Sequence, residues 1–364
     1  MLRDRKIDLG EVNKVFASAW INSTHVAVGT KCNRLLIIDV VEQRVDATIE
    51  SLKSSRLNSS TIEQNCGIHA IDVNPSKNML ATGADQPNNL AVYQLPSFDP
   101  VCVGEEAHSD WIFDLLWLDD RNIMTGGRDG VLATWHIDSD SIVNESNAYT
   151  PRRLTPTECK TMSKTQLQRI RSLAYNVMSS EVAAITLNGH LHLFDVQLAV
   201  SAPKRSVLLP FYKENVVVEY SDDMNLYAVG SHSHIFLYDP REPCGSSDPS
   251  RGRLRSVSTP EKHIAVRSIA FKQYLVSLGM GKNSLTFLDM RNHKYLTTED
   301  DTVRRIRLDD GYVRECDNDR DMISTTDSIN AVYTQRWNSF NSHLFAAGGP
   351  LPASLWGNCA SVLR

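Results

Sequence analysis

Residues 110–117 read DWIFDLLW, residues 123–127 read IMTGG and residues 131–135 read VLATW. Each segment is rich in β-branched or aromatic residues or is bounded by Gly, Asp or Asn, a pattern typical of strands. The connection Arg128-Asp129-Gly130 carries the Asp-Gly signal of a tight hairpin turn. The three segments therefore predict consecutive antiparallel strands of one sheet.

The same three-segment unit recurs along the chain. Its first segment has five residues and ends in an aromatic residue or Val, and it occurs at 16–20, 69–73, 113–117, 171–175, 216–220, 267–271 and 329–333. These segments begin 44 to 62 residues apart, which fits four-stranded blades with loop insertions. Seven units predict an all-β fold, a closed seven-bladed β-propeller.

The propeller is predicted to span residues 15–364. Residues 1–14 are predicted to form an N-terminal segment that closes the last blade, through a strand near residues 5–9. Two polar stretches do not fit the repeat, 139–168 and 297–327. We expect both to be insertions that form surface loops.

Composition narrows the class of protein. The 364 residues include 38 Lys and Arg against 43 Asp and Glu, a net charge of −5, which argues against nucleic-acid binding through bulk positive charge. No apolar stretch reaches the roughly 18 residues of a membrane helix, and the N-terminus lacks the apolar region of a secretory signal. Seven cysteines are spread singly, without a Cys-x-x-Cys pair. We therefore expect a reduced protein of the cytoplasm and nucleus, with neither membrane nor nucleic acid as a direct partner.

Signatures of catalysis are missing from the sequence. It contains no GxxxxGK[ST], no GxGxxG between a strand and a helix, no HExxH and no GxSxG. The pairs His190/His192 and His232/His234 could in principle hold a metal, but no Cys or carboxylate stands beside them at ligand spacing. The sequence predicts a protein that is not an enzyme and uses no metal or other cofactor.

Positive charge falls on one face of the predicted propeller. In each blade, the loop that enters the innermost strand lies on the same face as the turn between the second and third strands. Five cations occupy such positions: Lys31, Arg128, Arg169, Arg171 and Arg267. Cations that converge from different blades would bind a small polyanion, such as a chain end with adjacent acidic side chains. The alternative is that each cation pairs with a neighbouring carboxylate or is solvated.

The units resemble the WD-repeat family. His108, Asp129 and Trp135 match that family's His, turn Asp and Trp, although His136 stands where the family has a second Asp. The resemblance implies that the three matching residues hydrogen-bond across the third blade, as structural residues of the fold.

Two Asp-x-Arg boxes follow the third segments of consecutive units, at Asp239/Arg241 and Asp289/Arg291. They resemble the adaptor-binding motif of the substrate receptors of cullin-4 RING ubiquitin ligases. Longer stretches are similar to one family of these receptors, that of the twelfth damaged-DNA-binding-adaptor and cullin-4-associated factor: LGEVNKVFASAW (9–20), GTKCN (29–33), CGIHAIDVNP (66–75), LPSFDPVCVG (95–104), DWIF (110–113) with GRDG (127–130), and FAAGGPLP (345–352).

The resemblance implies a substrate-recognition subunit of a cullin-4 ligase that binds proteins ending in Glu-Glu. The five cations match the family's basic residues for the substrate C-terminus, with Arg169 where Lys is expected, and the two boxes would face the adaptor. The family has a basic extension with a helical adaptor-binding segment before LGEVNKVFAS, and eight residues precede that stretch here. The partners implied are the damaged-DNA-binding adaptor and substrate proteins with acidic C-termini. The alternative function is a non-catalytic propeller scaffold without a ligase role.

Overall fold

Seven β-sheets, in which neighbouring strands are antiparallel except for one pair, make up the computed structural model, which describes residues 4–54, 67–86, 88–138, 151–161, 169–196, 203–210, 214–241, 254–261, 264–314 and 330–364. Four sheets have four strands and three have five. The predicted seven-bladed propeller is therefore confirmed. In the same residues, no helix is long and apolar enough to cross a membrane.

The N-terminal half of the chain builds the first three blades. A closing strand, β1 (Asp4–Lys6), comes first. Blade one contains β2 (Val15–Trp20), β3 (His25–Thr30), β4 (Leu35–Asp39) and β5 (Arg44–Ile49). Blade two contains β6 (Ile71–Val73), β7 (Met79–Gly83), β8 (Leu90–Gln94), β9 (Pro100–Gly104) and, beyond the third blade in sequence, β13 (Arg152–Leu154). Blade three contains β10 (Ile112–Trp117), β11 (Asn122–Gly127), β12 (Val131–His136) and β14 (Glu158–Thr161).

The remaining four blades follow in order. Blade four contains β15 (Ile170–Asn176), β16 (Glu181–Thr186), β17 (His190–Asp195) and β18 (Arg205–Leu208). Blade five contains β19 (Val217–Ser221), β20 (Leu226–Gly230), β21 (His234–Tyr238) and β22 (Leu254–Ser258). Blade six contains β23 (Val266–Lys272), β24 (Leu275–Met280), β25 (Ser284–Asp289), β26 (Lys294–Tyr295) and β27 (Arg305–Arg307). Blade seven contains β28 (Tyr312–Val313), β29 (Asn330–Trp337), β30 (Leu344–Pro350) and β31 (Gly357–Leu363), with β1 at its edge.

The hydrophobic core consists of seven clusters, one between each pair of neighbouring blades. Alternate side chains of a strand point to opposite sheet faces, so each blade supplies residues to two clusters. In blade three, for example, Trp117 packs toward blade two and Leu116 toward blade four. The repeat therefore needs apolar residues on both faces of every inner strand.

Antiparallel pairing of β1 with β31 closes the ring, with Arg5 opposite Val362. Ile7 and Leu9 follow β1 and are buried between blades seven and one. The observed strand is Asp4–Lys6 rather than residues 5–9, because Ile7 and Leu9 pack into the core. The division of the chain at residues 14 and 15 stays a prediction.

Four strands lie inside the two stretches that we expected to be surface loops. β14 pairs with β12, and β13 pairs in parallel with β9. β27 pairs with β25, and β28 with β31. The loop expectation is wrong for these strands, because apolar residues such as Leu154 and Ile306 pack on the core between the polar ones. Residues 139–150, 162–168 and 315–327 of these stretches lie outside the described residues.

A β-bulge occurs near the start of five inner strands. The pairing register shifts on either side of Phe16, Phe113, Arg171, Arg267 and Tyr333. Bulges re-aim the side chain of the extra residue, and all five side chains line the central channel. The seventh repeat segment is therefore 333–337. The predicted segment, 329–333, is wrong by four residues, because both segments end in an aromatic residue.

Candidate functional site

One end of the central channel opens into a cavity of about 510 Å³. Inner strands of all seven blades line it, so its walls come from residues that are far apart in sequence. Lys31, Arg171 and Arg267 are among the lining residues. We call this end of the channel the mouth.

The structure brings most of the predicted cations to the mouth. Arg128 does not line the cavity, but its guanidinium lies 4.6 Å from the ring of Trp111, which does. Arg169 is exposed just before β15, and its carbonyl accepts a hydrogen bond from Leu187. It lies outside the set of cavity-lining residues.

Arg171 is the most desolvated of these cations. Its guanidinium lies 4.2 Å from the ring of Phe113, and its buried Nε has no hydrogen-bond partner among the described residues. Burial lowers the pKa of Arg171 to about 10, and repulsion from Arg267 and Arg128 adds to the effect. The group stays charged at neutral pH, so the mouth contains a buried cation that a bound anion would stabilise.

Two other cations already pair with carboxylates. Arg267 donates from Nη2 to Glu214 Oε2 over 2.6 Å, and Arg128 Nε lies 3.5 Å from Asp110 Oδ2. Glu214 has a φ of 57°, a conformation that non-glycine residues rarely adopt. For these two arginines the alternative of pairing with a neighbouring acid is therefore realised.

Lys14 also lines the mouth, although the sequence reasoning overlooked it. Its Nζ donates to the carbonyls of Leu355 and Pro352, the latter at 3.0 Å. Burial lowers its pKa to about 8, with a further contribution from Lys31, whose own Nζ donates to the Ala353 carbonyl at 2.9 Å. Lys14 directly precedes an inner strand, as Arg169 does, so the rule that selected Arg169 should also have found it.

An arc of aromatic side chains forms another part of the mouth, and we define the aromatic arc as Tyr333, Phe16, His69, Trp111 and Phe113. Ring centroids are 5.4 Å apart for Tyr333 and Phe16, 4.5 Å for Phe16 and His69, and 5.1 Å for His69 and Phe113. The arc is continuous across blades seven, one, two and three. Its signal was the first residue of each repeat segment, whereas the sequence reasoning examined the fifth.

Acidic residues lie further along the inner strands. Glu219 accepts from Arg336 Nη1 at 2.9 Å, and Asp114 accepts from the Ser172 hydroxyl at 2.9 Å and the Leu173 N–H at 2.7 Å. Burial raises the pKa of both Asp114 and Asp72 to about 6. Three carboxylates, Asp72, Asp114 and Glu219, thus surround one cation, Arg336, in this part of the channel.

The predicted blade-three residues come together around a fourth. The Thr125 hydroxyl accepts from Trp135 Nε1 at 3.0 Å and lies 2.7 Å from His108 Nε2. The other ring nitrogen of His108 lies 3.3 Å from Asp129 Oδ1. Gly127 leaves room for this pair, because a Cβ there would lie within 2.5 Å of both side chains. The sequence reasoning missed Thr125.

Both Asp-x-Arg boxes form local ion pairs. Arg241 donates from Nη2 to Asp239 at 2.8 Å, and Arg291 donates from Nη2 to Asp289 at 2.6 Å. Hydrogen bonds from Arg291 hold the pKa of Asp289 at about 2. Both boxes follow third strands, so they lie at the end of the blades away from the mouth, which we call the opposite face.

Metal binding finds no support in the described residues, where no group of three or more His, Cys, Asp or Glu could hold an ion. The rings of His190 and His192 stack at 5.5 Å, and His192 Nδ1 lies 2.7 Å from the Ser206 hydroxyl. Burial lowers the pKa of His192 to about 4. This pair is a packed element of blade four.

Fold and channel together define the class: a WD-repeat β-propeller, a receptor or scaffold fold that is generally non-catalytic. The model of one family, described as the DDB1- and CUL4-associated factor 12 beta propeller, matches residues 1–363. The chain belongs to this family, and it is a WD-repeat substrate receptor of the DDB1- and CUL4-associated kind.

Proposed function

We propose that this protein is the substrate-recognition subunit of a cullin-4 RING ubiquitin ligase and that its channel mouth binds protein C-termini ending in Glu-Glu. Family membership supports the receptor role. The observation that carries the choice of ligand is Arg171, which lines a cavity together with Lys31 and Arg267 and whose buried Nε has no partner among the described residues.

An acidic chain end is complementary to the mouth in charge. The terminal carboxylate and two Glu side chains give three anionic groups, and a guanidinium fork binds carboxylates through paired hydrogen bonds. Asp114 and Glu219 also line the cavity, further along their inner strands, where Glu219 pairs with Arg336 and Asp114 would repel the same groups. The chain end is therefore expected to stop at the mouth rather than to thread through the propeller.

The opposite face is the proposed adaptor side. Arg241 and Arg291 leave 60% and 70% of their side chains exposed beside their paired aspartates. We expect these two boxes to contact DDB1, which the family's name associates with its members. The receptor then positions a substrate, and the chemistry of ubiquitin transfer takes place on other subunits, in the cytoplasm and nucleus.

Fluorescence anisotropy of a labelled peptide ending in Glu-Glu tests the ligand. The peptide is compared with its C-terminally amidated form, each at low and physiological salt. We expect binding that requires the free carboxylate and weakens with salt, because the interaction is between opposite charges. Equal affinity of the two forms, or normal binding by an Arg128→Glu, Arg267→Glu double variant, contradicts the proposal.

The scaffold alternative rests on the ion pairs of Arg267 with Glu214 and of Arg128 with Asp110. If these pairs only hold loops in place, the mouth has no ligand of this kind. The same anisotropy titration separates the two functions, since the scaffold hypothesis predicts that neither peptide binds.

A further inference from the structure

Two halves of different chemistry make up the channel mouth. The bulge positions of blades seven, one and three carry Tyr333, Phe16 and Phe113, whereas those of blades four and six carry Arg171 and Arg267. The same structural position is therefore aromatic on one side of the channel and cationic on the other. A site for carboxylates alone would need only the cationic side.

The aromatic half lines the same cavity as the cationic half. All five residues of the aromatic arc are cavity-lining residues, as are Lys31, Arg171 and Arg267. Stacking of Arg171 on Phe113 joins the two halves directly. One ligand of a few residues can thus contact both.

Carboxylates do not suit the aromatic half. The face of an aromatic ring carries negative charge, so it attracts cations and apolar groups rather than anions. Leu351 adds to the apolar character, because it also lines the cavity and 42% of its surface is exposed. The arc is complementary to an apolar or aromatic side chain.

We propose that the aromatic arc is a second subsite, which binds an apolar or aromatic side chain a few residues before the acidic end. The proposal rests on the proposed function, because the arc can select a side chain only when the cations anchor the chain end beside it. An extended chain advances about 3.3 Å per residue, so the third to fifth residues from the end are the candidates. Substrates would then be selected by an apolar residue followed by an acidic end.

Peptide titrations on the full chain test this subsite. Peptides ending in Glu-Glu carry Gly, Leu or Phe at the third, fourth or fifth position from the end, with all other residues constant. Burial of one such side chain is expected to tighten binding on the order of tenfold over Gly at one of these positions. Equal affinities across the wild-type series overturn the proposal, whatever the variants do.

Variants then locate the effect. Phe16→Ala is expected to lower the ratio of Leu- or Phe-peptide affinity to Gly-peptide affinity, measured in the same variant, to about one, and Phe16→Leu is expected to restore part of this ratio. Phe340→Ala is the matched control, because Phe340 is exposed in the turn after β29, on the opposite face. Equal weakening of all peptides by Phe16→Ala assigns Phe16 a purely structural role and contradicts the proposal.

The two proposals fail differently. If no peptide ending in Glu-Glu binds, the proposed function is wrong and the subsite falls with it. If the peptides bind through their free carboxylate but show no preference at any of the three positions, the function stands and only the subsite is wrong.

Discussion

Arg171 and Arg291 show one propeller using the same side chain in two ways. Arg171 lies at the mouth, stacks on Phe113 and has no hydrogen-bond partner for its buried Nε among the described residues. Arg291 lies on the opposite face, is 70% exposed and pairs with Asp289 at 2.6 Å. The partner of Arg291 is two residues away in sequence, so its pair is local. Arg171 interacts with residues of other blades, so its environment depends on how the blades pack.

Removal of Arg171 should have the largest effect on ligand binding. Arg171→Ala is expected to weaken a Glu-Glu peptide by about 10- to 100-fold, since a charge-assisted hydrogen bond contributes about 1.5 to 3 kcal/mol. Anisotropy titration measures the loss. Arg291→Ala is the matched control and should bind the peptide normally. Similar losses in both variants would remove the contrast between the two faces.

Removal of the arginines of both Asp-x-Arg boxes should weaken adaptor binding and leave peptide binding unchanged. Arg241→Ala combined with Arg291→Ala is expected to lower the affinity for purified DDB1 on the order of tenfold, because two exposed cations on adjacent blades are lost. Biolayer interferometry with immobilised receptor measures it, and peptide binding should stay at the wild-type level. Undiminished DDB1 binding would show that the boxes only stabilise their turns.

Removal of the Glu214 carboxylate, which pairs with a cation of the mouth, should strengthen peptide binding. Arg267 donates a hydrogen bond to Glu214 over 2.6 Å, so an acidic ligand must compete with Glu214 for Arg267. Glu214→Gln is expected to raise the affinity of the Glu-Glu peptide about three- to tenfold. Glu42→Gln, at an exposed Glu in the turn after β4, is the charge-matched control. Weaker binding by Glu214→Gln would mean that Glu214 positions Arg267 instead of competing for it.

The charge of Lys14 should have a smaller effect on peptide affinity, and this effect should depend on pH. With its pKa lowered to about 8 by burial, Lys14 is charged at pH 7 and largely neutral at pH 9. Peptide affinity should therefore fall about two- to threefold between pH 7 and pH 9, because the guanidinium groups stay protonated. Lys14→Met should bind more weakly at pH 7 and lose most of this dependence. An unchanged pH profile in Lys14→Met would separate Lys14 from the ligand.

The same shift has a consequence for stability. A lowered pKa means that between pH 8 and pH 10.5 the unfolded chain binds more protons at Lys14 than the folded one. The contribution of Lys14 to the free energy of unfolding therefore increases as pH rises through that window, and the folded state becomes more stable. Urea unfolding at pH 7 and pH 10 should show this gain in the wild type relative to Lys14→Met, and an equal change in both proteins would contradict it.

Much of the fold could be predicted because each strand carries its own pattern. The three segments of blade three correspond to β10, β11 and β12 within a residue or two. The predicted strands were wrong where the local pattern was ambiguous or where the two paired strands are far apart in sequence. Tyr333 was placed four residues out of register, and β13 could not be foreseen because it joins blade two from beyond blade three in sequence.

The site was less predictable than the fold. Topology alone brings Lys31, Arg171 and Arg267 to one cavity, and the sequence rule anticipated that position. No spacing in the sequence indicates that Glu214 pairs with Arg267, because 53 residues separate them. The aromatic arc was missed for another reason, because the prediction compared the fifth residues of the repeat segments and not the first, where Phe16, His69 and Phe113 lie.

Sequence alone specified the seven-unit repeat and the balance of charge, because each strand carries its own local pattern and net charge is a matter of composition. The tertiary structure decided which cations line the cavity and placed an aromatic half beside them. Desolvation and pairing depend on which blades meet around the channel. For Arg171, packing of β15 against β10 of the neighbouring blade places Phe113 under its guanidinium, and its Nε has no partner among the described residues.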